Sequence, residues 1–380
     1  MLRIVIDARS VIEKKSGIGN YVESLLKHLV PIASDVRFVL LRHPDASSPI
    51  VEHERVEERV YRGETKSVHT LLGLGLAYPS ADADLYHAPA ELIPLGLRCP
   101  WVVTVHDLMW IEAPQLASAF VPERLANAAW YRLNYRRAIG GARHVIAISR
   151  ATADAIDRVY PDHSAPVSVV HHGVDFARYD AARAGTRASL EAIVRAGLRY
   201  SLIVGQGSPY KNHAAMVRAF VEATRGDPDH RLVLVRRFSR VDLSMRRLLE
   251  RSDVRAKVIT VPFVSDATLI ALYRHAQMLL FASRYEGFGL PALEAMAMGT
   301  PVLASTAPAV REVVGEAALC ALPTDHSDLV EKIRSLAEDE SLRQKLGAAG
   351  VARARAFTWQ RAAERTLQVY RRAIGPRASA

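Results

Sequence analysis

The sequence predicts an α/β protein built from doubly wound parallel sheets, and three observations carry that expectation. Short apolar runs with strand character alternate with helical segments from end to end, the pattern that packs helices on both faces of a parallel sheet. Several of these runs end in glycine-containing turns that open into a helix, as at Ser16–Gly19, Gly205–Asn212 and Glu286–Gly289. A length of 380 residues predicts two or three domains, each large enough for its own core.

Taken in order, Leu2–Ile6 reads as the first strand, and Ser16–Gly19 opens a helix over Asn20–Leu29. Two glycines there suggest half of a dinucleotide fingerprint, but the loop is too long for one. Val36–Leu41 is a second strand, and Glu52–Arg62 reads as charged surface. Asp84–Tyr86 runs into a loop that begins at His87, and Trp101–Val105 is a buried strand ending at His106 and Asp107. Ligands of open α/β sheets gather at the carboxyl ends of strands, so His87 and His106 are both placed to face a cleft. Pro122–Ile139 is a long helix carrying Trp130, Tyr131, Tyr135 and several arginines. Such a helix suits a membrane surface, and it equally suits a domain helix whose arginines snorkel to solvent. Arg143–Ile148 and Val167–Val170 close the first domain, with His171 and His172 read as linker residues.

The second half opens on the strand Tyr200–Val204, the loop Gly205–Asn212 and the helix His213–Thr224. Lys211, at a glycine-rich strand-to-helix turn, is well placed for a phosphate. Leu232–Val235, Lys257–Val261 and Met278–Ala282 are further strands, and the last leads into Ser283–Pro301. In that stretch a glycine loop precedes an apolar helix that has Pro291 at its start and Gly299 at its end. Gly287 and Gly289 let the backbone approach a ligand closely, and the helix start offers free N–H groups to an anion. Glu286 and Glu294 stand eight residues apart across this turn. Ionised carboxylates only accept hydrogen bonds, so they suit sugar or ribose hydroxyls and repel phosphate. A molecule with hydroxyls at both ends and a diphosphate between them is a nucleotide sugar. Thr300–Ala304, a strand around Ala318, helices from Ser327 through Gly350 and a final helix Trp359–Ile374 complete the chain.

Glu286 and Glu294, with the phrase Gly287–Pro291 between them, resemble the E-x7-E motif of retaining glycosyltransferases of family 4. The resemblance implies the GT-B architecture, two doubly wound Rossmann-like domains facing each other across a cleft. Residues 1–180 would form the acceptor-side domain, 181–357 the nucleotide-sugar domain, and 358–380 a helix crossing back to the first. It implies Glu286 on the transferred sugar, Glu294 on the nucleotide ribose and Lys211 on the donor diphosphate. Phe288, Gly289 and Leu290 would complete that donor-binding loop. In the first domain, Gly17 and Gly19 fall where the family's loop closes over diphosphate and acceptor, and His106 falls beside the transferred sugar. His106 and Glu286 are thus the expected catalytic residues. His171–Asp175 resembles the family's phrase at the domain crossover. Two departures stand out. Gln206 and Tyr210 occupy positions where many members carry an arginine, and Arg236 and Arg237 stand where many end a strand with paired glycines. Arg236, Arg237 and His87 are therefore secondary candidates.

The expected chemistry is retaining hexosyl transfer without a metal or other cofactor. The two D-x-D matches are set aside: Asp84 should lie at the wrong end of its strand, and Asp227–Asp229 is a turn signal. Asp7–Arg9, Thr104–Leu108 and Lys211–Asn212 resemble bacterial mannosyltransferases of surface-polysaccharide assembly, which makes GDP-mannose the first donor expected. A glycan or lipid-linked saccharide of O-antigen or exopolysaccharide synthesis would accept it. A GT-B sugar-nucleotide epimerase or phosphorylase shares the fold and stays open as an alternative, since fold does not settle chemistry.

Composition narrows the setting. Half the residues are hydrophobic (49%) and 24% are charged, ordinary for a globular protein. Cys99 and Cys320 form no disulfide framework, and the N-terminus enters a strand with no secretion signal, so a cytoplasmic setting is expected. The most lipid-like stretch, Val68–Tyr78, is far shorter than a membrane span. The formal charge of +10 fits either a solvated basic surface or attraction to the anionic inner face of the cytoplasmic membrane. Its basic residues are dispersed and lack a recognition motif, so a nucleic-acid partner is not expected.

Overall fold

A computed structural model describes residues 1–13, 16–78, 80–118, 120–181, 190, 198–237, 243–262 and 264–375. The chain divides into two compact units. The first comprises Met1–Glu112, Leu125–Gly173 and the C-terminal segment from Thr358; the second comprises Ala113–Arg124 and Val174–Phe357.

The first unit holds a sheet of β1 (Leu2–Asp7), β2 (Val36–Arg42), β3 (Val56–Val60), β4 (Leu85–Ala88), β5 (Trp101–Val105), β6 (His144–Ala147) and β7 (Val167–Val169). The strands lie in the order β3-β2-β1-β4-β5-β6-β7, every pair parallel. Alternation along β1 fills two cores. Ile4 and Ile6 join Tyr21, Leu25, Trp359 and Tyr370 on one face, while Val5 joins Tyr86, Tyr135 and Ile139 on the other. Burial on both faces is why these strands read as continuous apolar runs. The charged stretch expected as surface has no buried residue, and within it lies the edge strand β3, in register with β2 from Phe38↔Val56 to Arg42↔Val60. Its Glu57, Glu58 and Arg59 hid the strand pattern, and charges on an edge also block pairing with another sheet.

The helix Trp359–Ile374 belongs to this first unit. Thr358 caps it, accepting from the Arg361 N–H at 3.2 Å. Trp359, Ala362, Ala363, Thr366, Leu367 and Tyr370 form its buried stripe at helical spacing. Gly173 allows the close approach: a Cβ there would stand 2.0 Å from the backbone nitrogen of Trp359.

The second unit holds β8 (Arg199–Gln206), β9 (His230–Arg237), β10 (Val258–Val261), β11 (Leu279–Phe281), β12 (Val302–Ser305) and β13 (Leu319–Ala321). Their order, β10-β9-β8-β11-β12-β13, repeats the scheme of the first sheet, again all parallel. In each sheet the winding reverses once, between β1 and β4 and between β8 and β11. Such a reversal leaves a crevice outside the carboxyl ends of the central strands. Among the described residues, no helix is long and apolar enough to cross a membrane.

Candidate active site

In the second unit, both loops that leave the switch point carry expected site residues. The loop after β8 ends in a short 3-10 turn, Pro209–Lys211, and hands over to the helix His213–Ala223 through Asn212. Asn212 adopts φ 58° and ψ 24°, and its amide donates to the carbonyls of Ala282 (3.1 Å) and Pro323 (2.7 Å). The Arg284 N–H donates to the Tyr210 carbonyl at 2.7 Å. These bonds clamp the loop after β8 against the loop after β11. As a result Lys211 Nζ donates to Glu286 Oε1 at 2.7 Å, with both side chains close to nine-tenths buried. The ammonium also lies over the rings of Tyr210 and Phe281.

Gly289 then turns the chain into the helix Leu290–Ala297. Its φ of 116° is one that side-chain-bearing residues rarely adopt, so the conformation and not lack of space favours glycine here. Phe288 is buried with its ring edge against Phe357, so it offers a ligand its backbone only. Leu290, half-buried, is the first helical residue, and Pro291 is the second rather than the first as expected. One turn on, Glu294 accepts from the Tyr273 hydroxyl at 3.1 Å. Burial raises the Glu294 pKa to about 7, against smaller lowering effects of Tyr273 and Arg178. This carboxyl is therefore poised between its two forms near neutrality.

The register of β8 and β9 sets Arg236 opposite Gly205 and Arg237 opposite Gln206. Arg236 is buried, which lowers its pKa to about 10 and still leaves it cationic at neutral pH. The Arg237 side chain lies outside the described part of the structure. His213, the first residue of its helix, comes near Gly205 as well: a Cβ on Gly205 would stand 3.4 Å from His213 Nε2. Burial, then the charges of Arg236 and Lys211, push the His213 pKa down to about 3. Lys211, Arg236 and a neutral His213 thus collect around the end of β8.

In the first unit, Ser16 caps the helix Gly17–Ile32 by accepting from the Gly19 N–H at 3.2 Å. Gly17 is exposed and Gly19 buried, and both lie in the first turn of this helix, which starts three residues before the expected Asn20 and so takes them out of the expected loop. His106 follows β5, and its Nε2 lies 2.8 Å from the Pro89 carbonyl. A carbonyl only accepts, so Nε2 carries the proton and Nδ1 is left as an acceptor. Burial lowers the His106 pKa to about 4; the Pro89 bond raises it and the Lys66 charge lowers it further. The ring is held edge-on by Tyr21 at 5.0 Å and by His172 at 5.7 Å. His172 is no mere linker: it is buried and stacked between Tyr21 (4.9 Å) and Trp359 (5.6 Å).

His87 does not reach the site. The expected loop start is the third residue of β4, fully buried, with Nε2 2.8 Å from Thr104 Oγ1 and Nδ1 2.6 Å from the Tyr370 hydroxyl. Both nitrogens are occupied by core partners, and burial lowers the pKa to about 3. The Thr104 hydroxyl also meets the Tyr21 hydroxyl at 3.1 Å, so a buried chain of hydrogen bonds runs from Tyr370 through His87 and Thr104 to Tyr21. The D-x-D acids are engaged elsewhere. Asp84 accepts from the Arg3 N–H (2.7 Å), Asp82 pairs with the Arg3 guanidinium, and Asp227 pairs with Arg199 (2.8 Å). Among the described residues, no group of three or more His, Cys, Asp or Glu is placed to hold a metal.

Residues 193–353 match the family model of group 1 glycosyl transferases, and residues 15–178 that of glycosyltransferase family 4. A D-inositol 3-phosphate glycosyltransferase of Kineococcus radiotolerans is 31% identical over 306 residues, 74% of this chain and 68% of that one. O-antigen chain mannosyltransferase B of Escherichia coli is 27% identical over 293 residues, 76% of this chain and 74% of that one. Among solved structures, sucrose-phosphate synthase from Thermosynechococcus elongatus aligns with a TM-score of 0.74 at 22% identity, covering 97% of this chain and 98% of that one. Two Rossmann-like sheets of this order, with these likenesses, define a GT-B glycosyltransferase. The chain belongs to glycosyltransferase family 4, the group 1 glycosyltransferases.

Proposed function

We propose that this glycosyltransferase is a retaining, metal-independent hexosyltransferase. In this reading it moves mannose from GDP-mannose to a glycan or lipid-linked saccharide in bacterial surface-polysaccharide assembly, at the inner face of the cytoplasmic membrane. The observation that carries the reading is the Lys211–Glu286 ion pair beside the switch point of the second sheet, with Glu294 one helical turn beyond. A donor entering there exchanges one anion for another on Lys211. Its diphosphate takes the ammonium, and its hexose hydroxyls take the Glu286 oxygen that Lys211 gives up.

Lys211 and Arg236 would then stabilise the charge that grows on the leaving diphosphate, the role that a metal plays in other transferases. Glu294, ionised, would accept from the ribose hydroxyls, and His106 Nδ1 from a hydroxyl of the transferred hexose. In the transfer itself, the bond from the anomeric carbon to the β-phosphate oxygen breaks. The acceptor oxygen bonds that carbon from the same face, and the departing phosphate oxygen takes the acceptor's proton. The mannosyl and polysaccharide parts of the reading are supported by the name of the Escherichia coli relative. Product stereochemistry read by NMR, with and without EDTA, tests it: retention unaffected by chelator is expected, and inversion or loss of activity with EDTA would overturn it. Thermal shift against GDP-, UDP- and dTDP-sugars identifies the donor, because the ligand that binds the folded state raises its melting temperature.

The 31%-identical relative favours a second reading, in which the acceptor is a phosphorylated polyol. Inositol 3-phosphate tested as acceptor with each stabilising donor separates the two.

A further inference from the structure

We propose that the first unit docks on an anionic lipid bilayer through the helix Val68–Ala77, the exposed Leu95 and Gly96 beside it and the outer side of the Leu125–Gly140 stretch. The proposal rests on the reading that the acceptor is membrane-held, but it stands on surface chemistry of its own. Val68, Leu72 and Leu76 are 56%, 53% and 81% exposed. Their spacing of four puts them on one side of the helix, opposite the buried Thr70 and Leu74. The helix carries no Asp, Glu, Lys or Arg from Val68 to Ala77. Soluble proteins expose such residues singly; a clustered stripe marks a contact surface.

Two neighbours extend the stripe. Leu95, itself exposed, donates its N–H to the Leu71 carbonyl at 2.7 Å, which seats Ile93–Gly96 against the helix. On the other flank, the Arg137 guanidinium bonds the carbonyls of Ile93 and Pro94, and Lys66 lies over the Tyr131 ring at 4.8 Å. Both helices therefore border the same segment. Leu125, Ala129, Arg132, Leu133 and Arg136 are all exposed, at the spacing of one helical side. From Leu125 to Gly140 the helix has three arginines and no acid.

Exposed leucines beside uncompensated arginines fit one kind of partner. A bilayer surface takes leucines into its acyl boundary and sets arginines against lipid phosphates. A second copy of the chain meeting this face symmetrically would bring basic surfaces together. The net charge of +10 adds a long-range attraction to anionic membranes.

The test is flotation of the purified full chain with vesicles of phosphatidylcholine alone or mixed with phosphatidylglycerol, at low and high salt. Expected is flotation with the anionic vesicles at low salt, reduced by about tenfold in Leu72→Asp/Leu76→Asp. Arg132→Glu/Arg136→Glu should abolish the preference for anionic lipid. All four positions are exposed, and an unchanged melting temperature confirms the fold. No flotation, or flotation that survives both double variants, overturns the proposal. So does a dimer seen by light scattering that Leu72→Asp/Leu76→Asp dissociates without any lipid binding, which would assign the face to a second copy. No substrate enters the assay, so its outcome is independent of whether GDP-mannose is the donor.

Discussion

Lys211 and Glu286 neutralise each other at 2.7 Å in a setting nearly closed to water, although 75 residues of sequence separate them. Neither charge waits idle for a ligand. In a low-dielectric pocket the pair is strong, and removing one partner strands the other.

Lys211→Ala should therefore both expose the cost of an unpaired Glu286 and weaken donor binding. A loss of roughly 2–5 kcal/mol in nucleoside-diphosphate affinity is expected from removing a buried cation's partner. Glu286→Gln should keep or raise that affinity, because the diphosphate no longer competes with a carboxylate for Lys211, while kcat falls because its oxygen would meet the hexose. Calorimetry with the free diphosphate beside steady-state kinetics checks both. A Glu286→Gln variant that no longer binds nucleotide, with a Glu294 variant that loses only kcat, would reverse the donor's orientation.

Glu294 gives a pH signature. Only its ionised form accepts from two ribose hydroxyls, and its pKa stands at about 7 before any ligand arrives. Nucleotide affinity should rise as pH passes upward through that value, with release of a proton on binding below it. Glu294→Gln should flatten this part of the profile and raise the donor KM by roughly tenfold, with kcat little changed. Calorimetry in buffers of different ionisation enthalpy counts the proton, and an unchanged count in the variant would remove Glu294 from the ribose.

His106→Ala should lower kcat and spare diphosphate binding, since its free Nδ1 is an acceptor suited to a sugar hydroxyl. The ring is neutral at physiological pH, so activity should show no protonation step of His106 between pH 5.5 and 8, well above its pKa of about 4. A kcat profile that follows a histidine near 6.5 and loses that limb in the variant would contradict the assignment.

Histidine burial also sets acid stability. His87 and His213 are pushed to about 3, His106 and His230 to about 4. Below pH 6.5 the unfolded chain takes up protons at these sites and the folded chain does not, so their stabilisation is complete above 6.5 and drains as pH falls towards 4. The four sites act in the same direction across that range. Glu294 opposes them: its raised pKa means that its share of stability is lost as pH rises from 4.5 to about 7. Four sites outweigh one, so the urea midpoint should drop between pH 6.5 and 5. Tyr370→Phe, which strips His87 Nδ1 of its partner, should destabilise by about 1–3 kcal/mol without altering KM. A midpoint that climbs on acidification would contradict the burial of these rings.

The loop Glu286–Gly289 and the helix after it are the most legible part of the chain, because glycine, carboxylate spacing and helix start are all local features. The positions of Glu286, Gly289, Glu294 and Lys211 could be read from their own neighbourhoods. What closes around them could not. Tyr273 reaches Glu294 from a separate helix with no motif to announce it. Arg236 is a candidate from its place at a strand end, but it takes the β8–β9 register to set it opposite Gly205, where His213 also comes near. His87 looked like a residue at a strand end because its covering partner, Tyr370, lies 283 residues away. Edge strand β3 was masked by its own charges, and the grouping of Ala113–Arg124 with the second unit left no compositional trace.

The seating of Trp359–Ile374 in the first unit has a consequence for how the protein comes into being. Tyr370 and Trp359 complete a core whose other members are made first, yet they emerge from the ribosome after the whole second unit. For the ~200 residues of intervening synthesis, on the order of tens of seconds, the nascent first unit carries an open apolar groove where the helix will lie. Its closure thus waits on residues made after the second unit, whose long segment Val174–Phe357 is free to finish folding before the unit that precedes it.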